Sequence, residues 1–191
     1  MYQVVIAKYK EDISWSKSLN PIIYDKSESP IEGSIPLPNI GREGHTFLHH
    51  IVENYDNLPE YTVFLQGMPF DHMFDINPDN IKEMLEKVIE SKPIFAIPAL
   101  TTWHTESPHM YEYLQKDKYF EYLFNKQCPP IYKFAAGAQY IMPRPSKPKT
   151  FFQNILDMSI KGGNDDRYTG FHDYKINAWQ LERHLGYIFN L

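Results

Sequence analysis

Apolar residues recur along this chain in two alternating rhythms. Residues 3–7, Gln-Val-Val-Ile-Ala, form a near-continuous β-branched run, the pattern of an interior strand covered on both faces. Residues 20–25 and 62–65 predict a second and a third short strand, with Asp25 at the carboxyl end of the second. Between those two the spacing becomes helical: Phe47, Leu48, Ile51, Val52 and Tyr55 fall on one side of a helix over 45–55. Ile81, Met84, Leu85, Val88 and Ile89 make another helical stripe, opened by Asn77 and by Pro78 near the first turn. Capping residues within 11–17 predict a short helix, and residues 27–38, rich in Ser, Pro and Gly, a long loop. Further along, residues 94–98 read as a strand, 111–125 as a helix of alternating aromatic and charged residues, and 134–142 as one strand. Residues 149–161 predict a helix ended by Gly162 and Gly163, residues 164–174 a polar and flexible stretch, and 178–191 a closing helix or helix-strand piece.

Strands alternate with helices through the first half of the chain. That order predicts an α/β fold, a single domain over 1–191 with a mixed, mostly parallel sheet flanked by helices. No repeat and no long linker divides it. The length suits one good core, either as a whole protein or as the leading domain of a longer one.

Charge and cysteine content narrow the function. A net charge of -5 with no basic run excludes a general nucleic-acid binder, though not a local basic pocket for a phosphate. Cys128 is the sole cysteine, so no disulfide forms within the chain and no zinc site rests on thiolates alone. Residues 1–8 read as a strand and not as a signal peptide, and nothing approaches the ~20 apolar residues of a membrane helix. The expectation is a soluble cytoplasmic protein with no membrane span. Tyr and Phe are plentiful, 14 and 12; such rings pack cores or form platforms for sugars and bases.

Four clusters could carry chemistry. Asn39-Ile-Gly-Arg-Glu43 joins a permissive Gly41, the planar fork of Arg42 and a helix start, which makes either an anion site or a plain capped helix. Beyond the third strand, Asp71, His72 and Asp75 offer ligands for magnesium or manganese, or merely turn-forming groups. His45 and His49 share one helix face, the spacing of a metal-dependent hydrolase, but Thr46 stands where a catalytic Glu would follow. Glu182-Arg-His184 places charge among Trp179, Leu181 and Leu185, as a surface stripe or as part of a site.

Several blocks together carry a resemblance across nearly the whole chain: Ala7-Lys-Tyr-Lys-Glu-Asp-Ile-Ser-Trp15, Tyr24-Asp-Lys26, Leu37-Pro-Asn-Ile-Gly-Arg-Glu-Gly-His45, Val63-Phe-Leu-Gln-Gly67, Gly137-Ala-Gln139 and Leu181-Glu-Arg-His-Leu-Gly-Tyr-Ile-Phe189. The sequence resembles a group of small proteins with glycosyltransferase-like GT-A folds, relatives of a chlorella-virus glycosyltransferase domain that helps build the capsid glycan. The resemblance implies a GT-A-like, Rossmann-related fold, a UDP-sugar donor, a glycan acceptor, a divalent metal such as Mn2+ or Mg2+, and, for a viral protein, the host cytoplasm. It points to Ala7, Lys8, Tyr9 and Asp25 around base and ribose, Arg42 toward the donor, Gln66 and Gly67 near the diphosphate, and Gly137 and Gln139 at the sugar or acceptor side. Gln66-Gly-Met68 departs from the usual metal motif of such folds, which moves the metal expectation to Asp71 and Asp75. A sugar transfer calls for a carboxylate near the acceptor hydroxyl, for which Glu182, Asp71 and Asp75 are candidates. The alternatives are a hydrolase built on His45 and His49, and a catalytically idle carbohydrate-binding domain of the same fold.

Overall fold

The computed structural model describes residues 1–73, 75–91, 100–104, 118–135, 137–165, 167 and 169–190. Its centre is a five-stranded sheet. In chain order the strands are β1 (Tyr2–Lys8), β2 (Ile22–Asp25), β3 (Ile35–Pro36), β4 (Tyr61–Gln66) and β7 (Tyr140–Pro143), and in space they run β3-β2-β1-β4-β7. The first four are parallel, and β7 closes the far edge antiparallel to β4. A separate antiparallel pair joins β5 (Leu100–His104) to β6 (Ile131–Ala135). The sheet is thus mixed and mostly parallel, in an α/β, Rossmann-like architecture.

Period-two alternation divides the core between the two faces of this sheet. Val5, Ala7, Tyr24, Phe64 and Tyr140 point to one side, Val4, Ile6, Val63, Leu65 and Ile141 to the other. The first side is covered by α1 (Arg42–Asn54), α4 (Lys149–Gly162) and α5 (Ala178–Asn190), with α3 (Tyr119–Phe124) adding rings to the same cluster. There Phe64, fully enclosed, lies 4.8 Å from Phe47 and 5.4 Å from Phe189, centroid to centroid. Burying such a ring is worth about 1.5–3 kcal/mol. On the other side α2 (Ile81–Glu90) and a 3-10 turn over Ser14–Leu19 supply Ile81, Leu85 and Leu19.

Most element expectations hold to within a few residues, and the departures have local causes. The short helix expected over 11–17 is the 3-10 turn, displaced because the Asp12 carboxylate binds the Ser14 N–H at 2.8 Å and its hydroxyl at 3.0 Å. The loop over 27–38 includes the two-residue edge strand β3. The expected single strand over 134–142 is two strands in different sheets. Gly137 (φ +82°) and Ala138 (φ +55°) both adopt left-handed backbone, which turns the chain from β6 into β7. The strand expected over 94–98 lies outside the described residues, as do residues 111–117 of the helix expected over 111–125, whose later part is α3.

One topological fact positions the site. From β1 the chain steps outward through β2 to β3, then returns through α1 to β4 on the other side of β1. The strand order therefore reverses between β1 and β4. The two strands stay paired as far as Ala7 and Gln66, and the carboxyl ends at such a reversal are the place where open α/β sheets bind ligands.

Candidate functional site

Two adjoining clefts open at that reversal. The first, about 350 Å³, is walled by Ala7, Lys8 and Tyr9 at the end of β1 and by Lys26, Asn39 and Arg42. The second, about 220 Å³, is walled by Gln66, His72, Gly137, Trp179 and Glu182. Arg42 and Glu43 belong to both.

The first cleft gathers three cationic side chains, Lys8, Lys26 and Arg42, beside the carboxyls of Glu11 and Glu43. Lys8 is buried, its Nζ 3.0 Å from Asp25 Oδ2 and 3.0 Å from the Tyr9 carbonyl oxygen. Asp25 is fully enclosed and also accepts from the N–H groups of Ser27 (2.8 Å) and Ile31 (3.2 Å). Burial raises its pKa, but the hydrogen bonds from Ser27, Lys8 and Ile31 outweigh it and hold the carboxyl below the ordinary range. Asp25 therefore does not line either cleft as a ribose ligand. Both its oxygens are committed inward, and its work is to orient Lys8.

Lys26, at the end of β2, is buried too. Its Nζ donates to the carbonyl oxygens of Ile40 (2.7 Å) and Arg42 and lies 3.3 Å from His45 Nδ1. Burial draws this lysine down to about 7, with Glu43 pulling the other way. The two carbonyl contacts pin a strained turn. Gly41 (φ +63°) and Arg42 (φ +47°) are both left-handed, and for a residue with a side chain that costs about 1–2 kcal/mol. Asn164 straps the same turn from outside: its Oδ1 accepts the Arg42 N–H at 3.3 Å and its Nδ2 donates to the Asn39 carbonyl at 2.8 Å. Strain held this firmly is characteristic of functional sites. It carries Arg42 to the junction of the clefts.

The second cleft is acidic. Glu182 Oε1 accepts the Gly137 N–H at 2.9 Å, and Oε2 lies 3.6 Å from Arg183 Nη1. The Arg183 guanidinium in turn stacks 3.2 Å above the Trp179 ring centre. Gly137 has no room for a side chain: a Cβ would meet the His72 ring at 2.3 Å. Glu43 completes the cleft. Burial pushes its carboxyl up, and the Glu182 charge adds to this, against its own N–H, Arg42 and Lys26.

The structure thus brings together Ala7, Lys8, Tyr9, Arg42, Gln66, Gly137 and Glu182 along one rim. Gly67 stands beside it, approached so closely by Glu11 that a Cβ would meet Oε2 at 2.6 Å. Gln139 is buried in the core behind the Gly137 turn and lines neither cleft. Asp71 and Asp75 are exposed and line neither cleft; Asp75 (φ +63°) sits in a turn whose carbonyl binds Asn80 Nδ2 at 2.9 Å. Among the described residues no three His, Cys, Asp or Glu side chains gather as a metal site. His45 is buried and stacks on His49, ring centroids 6.1 Å apart, with no acidic third ligand grouped beside them among those residues. The Glu182-Arg-His184 triplet divides: Glu182 faces the cleft, Arg183 covers Trp179, and His184 is enclosed with Nδ1 2.6 Å from Tyr132 Oη. Sequence reasoning missed Lys26, Glu43 and Asn164 as cleft residues. Lys26 and Glu43 close motifs already singled out, without having been assigned a role there; Asn164 lies in a polar stretch with no local signal.

Residues 4–92 match the model of a family described as a protein of unknown function (DUF3431). No curated protein and no solved structure matches the chain. The matched span runs from within β1 through β4 and holds the first cleft's Lys8, Lys26 and Arg42, while Gly137, Asn164 and Glu182 come from the remainder. Among the described residues no helix is long and apolar enough to cross a membrane.

Proposed function

We propose that this chain is a glycosyltransferase that moves a sugar from a nucleotide-diphosphate donor, a UDP-sugar, to a glycan acceptor. The observation that carries this reading is the junction at Arg42 and Glu43, where a cleft lined by Lys8, Lys26 and Arg42 together with Glu11 meets one bordered by Glu182, at the reversal of strand order. The donor's diphosphate would lie in the first cleft toward Lys26 and Arg42, whose charge offsets that developing on the leaving group. The nucleoside would extend along Lys8 and Tyr9. Sugar and acceptor would meet over the second cleft, where Glu182, held by Gly137, stands as the carboxylate for the acceptor hydroxyl. The resemblance described from the sequence supports the same substrate class.

Asp71 and Asp75, where the resemblance leads one to expect a divalent metal, are exposed and line neither cleft. Cationic side chains are what this chain offers the diphosphate, so no step here is routed through a metal.

The test is thermal denaturation with UDP and a panel of UDP-sugars, with and without manganese. Saturating donor at about 100 Kd stabilises a fold by ~2.7 kcal/mol, a rise of several degrees in Tm. A panel that leaves Tm unmoved in both conditions sinks the reading. Stabilisation without sugar turnover on any acceptor identifies an idle binding domain instead. Stabilisation only with manganese shows that a metal takes part in donor binding.

A further inference from the structure

Glu43 stands where the diphosphate side and the acceptor side of the site meet. It is half-buried in the first turn of α1 and lines both clefts. Glu182 shares the second cleft with it from α5. Two carboxyl groups in one small hollow are in unequal surroundings. Glu182 has the Gly137 N–H at 2.9 Å and the Arg183 guanidinium at 3.6 Å to support a negative charge. Glu43, half-buried at the junction of the two clefts, feels the charge on Glu182. Arg42 on its own turn and Lys26 at the end of β2 face it with positive charge, Lys8 and Glu11 line the first cleft with it, and His72 borders the second from the segment after β4. Burial and Glu182 outweigh the cations, so the carboxyl of Glu43 holds its proton more tightly than an exposed glutamate does. Environments that separate two neighbouring carboxyls in this way divide acid from base between them.

We propose that Glu43 is the acid of the transfer, giving its proton to the departing diphosphate oxygen, while Glu182 receives the proton of the acceptor hydroxyl. The inference rests on the glycosyl-transfer reading and adds a residue to it. In the step, the acceptor O–H bond breaks and its proton goes to Glu182. The acceptor oxygen's electron pair forms the new bond to the sugar's anomeric carbon. The bond from that carbon to the diphosphate oxygen breaks, the electron pair leaving with the diphosphate. That oxygen takes the proton of Glu43. The site then holds a protonated Glu182 and an ionised Glu43, and transfer of one proton from Glu182 to Glu43 restores it. The placement explains why both carboxyls occur in this cleft: one borders the acceptor side alone, the other touches both sides.

The proposal is tested in two ways on the full chain. First, carbon NMR of protein labelled at the glutamate carboxyl carbons, with the Glu43 signal assigned by its loss in E43Q. Glu43 is expected to titrate above the exposed glutamates and to move down in E182Q. A Glu43 that titrates with the exposed groups, indifferent to E182Q, overturns the pairing. Second, turnover of the UDP-sugar found by the thermal screen. E43Q is expected to keep the donor-induced rise in Tm, to lose about 10²–10⁴-fold in kcat, and to lose the fall in rate that wild type shows as pH rises through the Glu43 titration. An E43Q enzyme with wild-type kcat removes this step and leaves glycosyl transfer standing. A wild-type protein that neither binds nor consumes any nucleotide sugar removes the transfer reading, and this step with it.

Discussion

Lys26 lies beside the first cleft with its ammonium turned to two backbone carbonyls and its stem enclosed. With a folded value of about 7 against about 10.4 in an unfolded chain, the unfolded state holds the extra proton between those limits. Stability from this group therefore rises as pH climbs from about 7 toward 10.4 and is level below 7. A diphosphate arriving in the cleft favours the charged form, so donor binding should draw in a proton. Calorimetry at pH 8 in two buffers of different ionisation enthalpy should report uptake approaching one proton, fading below pH 6 and absent in Lys26→Met. Equal binding heats in both buffers at pH 8 would rule it out. This coupling could not be read from the sequence, where Lys26 is one of many lysines. Its burial depends on the turn over residues 40–42, which tertiary contacts from Asn164 hold in place. Arg42, by contrast, was legible, because Gly-Arg before a helix start is itself an anion-binding pattern.

At the scale of the element, α1 serves two ends. Its first turn faces the clefts, and its body packs on the sheet through Phe47, Leu48 and Ile51. The same periodicity that made this helix visible in the sequence also drew His45 and His50 into the interior. His50 Nδ1 lies 3.1 Å from the Tyr24 hydroxyl, and burial brings His50 down to about 4 and His45 to about 3. Lys26 adds to the depression of His45, and His49 to that of both. Both folded values lie below the roughly 6.5 of an unfolded histidine. The unfolded chain thus binds more protons as pH falls from about 6.5, and stability declines through that window toward pH 4 and 3. Tm should fall already between pH 6.5 and 5, above the range where most carboxylates titrate; a flat Tm across that interval would contradict the enclosure of these rings. Element boundaries were less legible than elements. The β6-to-β7 turn was invisible because Ala138 takes a left-handed conformation that its residue type does not announce.

The whole molecule assembles its site from distant parts of the chain. The run of β-branched strands and the order of elements revealed a mostly parallel sheet, and that order alone places a crevice at the carboxyl ends of β1 and β4. Which side chains enter the crevice was only half legible, since Asp25 reads as a ligand in sequence yet turns inward to Lys8. The second cleft's Glu182 and Gly137 arrive from beyond residue 92, as do α4, α5 and β7. A fragment spanning 1–92 should therefore fail to fold as a monomer, with light scattering and far-UV circular dichroism showing association or loss of structure. A cooperative, monomeric melt from that fragment would show that the cover from α4 and α5 is dispensable.

The antiparallel seat of β7 against β4 has a consequence for the chain as it is made. When β4 leaves the ribosome its outer hydrogen-bonding groups have no mate, and they wait until Tyr140–Pro143 has been synthesised. At roughly 5–20 residues per second this interval lasts seconds, long beside the microseconds of hydrophobic collapse. An unpaired apolar strand of that kind invites pairing with a neighbouring nascent chain. Cells producing this protein quickly should lean on chaperones during that gap, and slower translation should raise the yield of native material.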